Sequence, residues 1–139
     1  MKTLKTERGQ SLVELSISLL VLLYLLSGAV EFGLAFFQFV QLRDAAQEGA
    51  LYGSMDPSNS AAIELRVRSS SNSPVDLADS TLVGFGIAID SAACEGNALT
   101  VTVSYDHKLF MPFIPQLIGS DTIPLMATVT DTILSPVCP

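Results

Sequence analysis

The chain has 139 residues and 14.8 kDa, enough for one compact domain, but 49% hydrophobic and 15% charged residues with a mean hydropathy of +0.48 are unusual for a free globular protein. A membrane class is therefore considered first. The formal charge of −7 and a pI near 4.4 argue against nucleic-acid binding, which needs a basic surface to meet phosphate.

Basic residues crowd the first nine positions. Lys2, Lys5 and Arg8 precede a long apolar run, and acids dominate after Asp44. Lysine and arginine beside a hydrophobic segment tend to stay on the cytoplasmic side, and only Arg43, next to Asp44, stands just past the far end. This asymmetry predicts a cytoplasmic N-terminus and an extracytoplasmic C-terminal head.

From Leu15 to Leu42 Glu31 is the single formally charged residue. As a helix this stretch is about 42 Å long, against a hydrocarbon core of roughly 30 Å, so it spans and protrudes on the outer side. Good helix formers continue through Arg43–Tyr52 until Gly53, Ser54, Asp56 and Pro57 interrupt them, which predicts one helix over 10–53. Leu42, Ala45, Ala46, Gly49 and Leu51 or Tyr52 recur at near-helical spacing and offer a face of small residues for close packing.

Asp56-Pro57-Ser58-Asn59 signals a turn and a helix start, and a short second helix follows with Ala62, Ile63 and Val67 inward. Ser69–Pro74 reads as a polar loop. The period then falls towards two in TLVGFGIAID, ALTVTVSYD and TIPLMATVTDTIL, predicting three strands. In the second, Leu99, Val101, Val103 and Tyr105 share one face, which the outer part of the first helix is placed to cover. Between the last two strands, FMPFIPQLIG is apolar but holds Pro112 and Pro115, so a hydrophobic loop or short helical turn is expected, able to touch lipid or a partner. The fold class is α+β: a long N-terminal transmembrane helix with a small antiparallel β-sheet head packed on its outer half.

Cys94 and Cys138 both fall in the part placed outside the cytoplasm, where disulfides persist. Their pairing would contribute up to roughly 4 kcal/mol by loop closure; two free thiols are the alternative. His107, in SYDHK, has no serine motif, phosphate loop or metal-ligand cluster to accompany it and reads as a solvated strand-end residue. No catalytic residue, cofactor site or metal site is expected, and the chain is read as a non-enzyme.

The most specific local pattern is Arg8-Gly9-Gln10-Ser11-Leu12-Val13-Glu14: a basic leader ending in glycine, then glutamate five positions on at the start of an apolar run. It resembles a type IV prepilin site. An ordinary secretory signal is cut after its apolar region, and no A-x-A site is evident there. The resemblance implies cleavage after Gly9 by a prepilin peptidase, with Gln10 as the new N-terminus and the helix retained. Glu14 would then pair with the freed α-amine of a neighbouring subunit, the alternative being an acid at headgroup level near the helix N-terminus.

Further on, Glu31-Phe32-Gly33, Phe36-Phe37, Gln41, Ala45-Ala46-Gln47-Glu48-Gly49-Ala50 and Tyr52-Gly53 are similar to the pattern of TadE-like proteins, minor pseudopilins of the Tad (Flp) pilus system. The likeness covers about the first 53 residues closely. Ser16, Ile17 and Ser18 stand where that family often has proline, so a less kinked helix is expected, and Gln10 departs from the bulky apolar residue of common pilins. Two readings of Glu31 stay open, an intramembrane acid that fixes subunit register and an acid near the outer interface.

Together these imply a leader over 1–9, a hydrophobic and amphipathic helix over 10–53, and an extracytoplasmic head over 54–139. The implied partners are the prepilin peptidase, other pilins or pseudopilins, the pilus assembly platform and membrane lipid, with no nucleic acid. The competing expectation is an uncleaved single-pass scaffold of the same apparatus.

Overall fold

The computed structural model describes residues 7–112 and 114–138; Lys2 and Lys5 of the basic leader lie outside the described residues. Helix α1 spans Glu7–Met55, followed by α2 (Ser60–Ser69), β1 (Val83–Ile89), β2 (Ala98–Lys108), α3 (Ile114–Ile118) and β3 (Thr122–Thr132). The strands form one antiparallel sheet in the order β1-β2-β3. In its register Val103 lies between Phe85 and Ala127, and Lys108 faces Thr122. The architecture is a long apolar helix carrying a small α+β head.

α1 begins before the expected start and ends after the expected stop. Glycine costs a helix only about 1 kcal/mol relative to alanine, and the good helix formers beside Gly9 carry the helix through it. At the other end Gly53 lies inside the helix because packing requires it. A Cβ there would meet both δ-methyls of Leu99 at 3.0 Å. The helix stops only at Asp56-Pro57, and α2 starts with Asn59 as N-cap, its side chain accepting from the Ala62 N–H at 3.2 Å.

The core lies where the outer part of α1 meets the sheet and α2. Leu42, Ala45, Ala46 and Ala50 of α1 pack with Ile63 and Val67 of α2, and with Leu99, Val101 and Val103 of β2. The β2 alternation therefore works as read, with Thr100 and Thr102 turned away to pair with Thr130 and Thr128. Of the expected helix face, Leu51 is exposed, Tyr52 is half-buried and Ala50 takes the inward place. Gly49 is needed for contact, since a Cβ there would lie 2.5 Å from a Val67 methyl.

Two polar ties close the head around α1. The Gln41 side chain meets the backbone of Val75 as a strand would: its amide nitrogen donates to the Val75 carbonyl at 2.7 Å and its oxygen accepts from the Val75 N–H at 2.9 Å. This fixes the polar loop after α2. At the outer end the Leu134 N–H donates to the Ser54 carbonyl at 2.7 Å, satisfying a terminal helix acceptor. Cys94 and Cys138 are joined as a disulfide that secures the C-terminal tail to the β1–β2 connection.

Candidate functional site

The N-terminal half of α1 is bare. Leu12, Val13, Leu15, Ile17 and the apolar residues from Leu19 to Leu26 are all exposed, and cover by the head begins near Ser27. Gly9 to Leu26 measures about 27 Å along the axis, close to the thickness of a hydrocarbon core. By length and composition α1 can cross a membrane. In water this all-round apolar surface would be unsupported, whereas lipid or neighbouring helices would cover it.

The residues of the processing pattern lie at the start of this segment. Gly9 and Gln10 are exposed in the first turn of α1, and a Cβ on Gly9 would meet nothing within 4 Å. Helical rather than extended, Gly9 differs from the conformation a protease grips; yet first-turn N–H groups have no intrahelical acceptor, so unwinding there costs little. Glu14 is exposed one turn further, with no hydrogen bond or ion pair to another described residue.

Glu31 is placed differently. Although on the apolar helix, it is 4% exposed and its partners are within the chain. Its Oε1 accepts from Nε2 of His107 at 2.9 Å and from the Phe110 N–H at 3.0 Å, and its Oε2 accepts from the Met111 N–H at 3.1 Å. His107 is 3% exposed, so the reading of a solvated strand-end residue is corrected. The strand period explains this: Leu99, Val101, Val103, Tyr105 and His107 alternate on the face that covers α1. The other ring nitrogen, Nδ1, lies 2.6 Å from the Gln38 amide oxygen. That amide can turn to present oxygen or NH2, so it can hold the ring in either protonation state.

Sequence reasoning singled out Glu31 but not its partners. Within the chain, both oxygens of Glu31 tie the end of β2 and the β2–β3 connection to α1. Below the tie, Met111 and Pro112 lie beside Leu20, Leu23, Tyr24 and Ser27 of the bare helix. Alongside, an apolar groove of about 460 Å³ runs between Phe32, Phe36 and Phe39 of α1 and Ile114 and Ile118 of α3. Among the described residues no group of His, Cys, Asp and Glu side chains could hold a metal ion.

These features define a class: an α+β protein with one long N-terminal helix apolar enough to cross a membrane, to which polar interactions hold a small head. Residues 9–51, which hold nearly the whole of α1, match the family model described as TadE-like protein. Over this segment, somewhat under a third of the chain, the protein is similar to TadE-like proteins. Comparison with curated proteins gives no match, and comparison with solved structures gives none either.

Proposed function

We propose that this chain is a minor pilin or pseudopilin of a Tad-type pilus, inserted with its N-terminus in the cytoplasm and its head outside, and cut after Gly9 by a prepilin peptidase. The observation that carries the reading is the coincidence of the TadE-like segment with a helix that is bare and apolar over its first half. A helix of this kind serves as an anchor before assembly and as a packing surface for other subunits after it. Its role is structural rather than catalytic, with the major pilin, other pseudopilins and the assembly platform as partners.

The cut leaves the spanning segment intact and frees an α-amine at Gln10, four residues from the unpaired Glu14 carboxylate. Between neighbouring chains this amine and carboxylate are complementary charges, and pairing removes the cost of a lone carboxylate among apolar helices. Replacing Gly9 by valine tests the reading in cells that make the pilus. Uncut precursor and loss of pilus-dependent adhesion are expected, and normal piliation from an uncut chain would refute it.

A second reading, an uncleaved membrane scaffold of the same apparatus, draws support from the helical conformation of Gly9. It predicts that the leader persists in the working protein.

A further inference from the structure

The bare helix is accompanied over part of its length by a second apolar element. From Leu109 to Ser120 the sequence carries no formal charge, whereas the opposite end of the head presents Asp90, Glu95 and Asp131. Phe110 is 83% exposed and Leu117 87% exposed, and Met111 and Pro112 flank Leu20, Leu23, Tyr24 and Ser27 of α1. If α1 fills a bilayer from Gly9 to about Val30, the turn from Phe110 to Pro112 lies at or below the outer limit of the hydrocarbon.

An irregular turn is costly in lipid because its backbone N–H and C=O groups lack water, and satisfying its donors removes part of that cost. The Leu109 N–H donates to the Asp121 carbonyl at 3.0 Å. The next two N–H groups, of Phe110 and Met111, both donate to the Glu31 carboxylate. Pro112 and Pro115 have no N–H to satisfy. The exposed side chains of the turn are apolar, and its charged acceptor is covered by His107.

We propose that the β2–β3 connection seats Phe110, Met111 and Pro112 in the outer leaflet of the membrane that α1 crosses, giving the head a second lipid contact. The proposal rests on the reading of α1 as a membrane span. The occupant of this surface is lipid acyl chain, because the turn is continuous with the helix face that the bilayer itself must cover. Glu31 thus works as an internal cap that lets backbone enter an apolar phase.

The chain has no tryptophan, so a single introduced one reports its own surroundings. Full-length Phe110→Trp, Leu22→Trp and Leu134→Trp chains are reconstituted separately in phosphatidylcholine vesicles and in dibrominated phosphatidylcholine vesicles. Leu22 is within the bare helix, and Leu134 is at the outer end of the head beside Ser54. The expected result is strong bromine quenching for Phe110→Trp and Leu22→Trp and little for Leu134→Trp.

Quenching at Leu22→Trp with none at Phe110→Trp would overturn the proposal and leave the span intact. Absence of quenching at both would overturn the span and the proposal together. An unquenched but blue-shifted Phe110→Trp whose emission depends on the protein-to-lipid ratio would assign the surface to a second chain, and would also overturn it.

Discussion

Glu31 and His107 are 76 residues apart in sequence, and a 2.9 Å hydrogen bond between buried side chains joins the anchor helix to the end of β2. Its position gives it leverage. The same carboxylate also receives two consecutive backbone N–H groups, so one side chain ties the β2–β3 turn to α1.

Removing the carboxylate should loosen that turn without unfolding the far end of the head. A buried donor or acceptor left unsatisfied costs about 1–3 kcal/mol, and Glu31→Ala strands the His107 ring and two backbone donors together. Amide hydrogen exchange on the detergent-solubilised chain should show faster exchange at Phe110 and Met111, with protection at Val101 and Val103 retained. His107→Ala should give a smaller change of the same kind.

The close approach of α1 and α2 depends on Gly49. Gly49→Ala places a methyl group 2.5 Å from a Val67 methyl, and overpacking of this kind costs about 1–3 kcal/mol. The thermal midpoint of the solubilised chain should fall, and adding Val67→Ala should restore part of the loss. A double variant no more stable than Gly49→Ala alone would show that the contact is not what limits the site.

Gln41 offers a separate test of the polar ties. Gln41→Glu keeps the shape but loses the donor to the Val75 carbonyl and introduces a buried charge. The loop from Ser70 to Pro74 should become sensitive to limited proteolysis, whereas Arg43→Gln, on the exposed side of α1, should leave it resistant.

Reduction of the Cys94–Cys138 disulfide should free the C-terminal tail. The loop-closure contribution is roughly 4 kcal/mol at most, large for a small head. Mass analysis after alkylation, with and without reductant, should show two protected thiols in protein taken from the cell envelope. Thiols already alkylated without reductant would count against a disulfide in the cell.

Much of the fold could be read from periodicity. Leu99, Val101 and Val103 declare the inner face of β2, and Ala45, Ala46 and Gly49 declare a close helix contact. Pro112 and Pro115 likewise mark where strand gives way to a turn and α3. The partners of Glu31 and Gln41 were not legible, because each tie joins residues distant in sequence and most of its bonds go to backbone groups that no side-chain pattern records. His107 had a local signal in its strand phase, which its polar character outweighed. The extra turn past Gly53 followed from contact with Leu99, a tertiary effect overriding glycine's local preference.

Cleavage after Gly9, as proposed, gives the helix a new N-terminus in the mature protein. Intact-mass and N-terminal peptide analysis of the chain, purified from cells that contain the peptidase, tests it most directly. A protein beginning at Gln10, as glutamine or its pyroglutamate form, with the spanning helix retained, is expected. A mature chain that still begins at Met1 would contradict it.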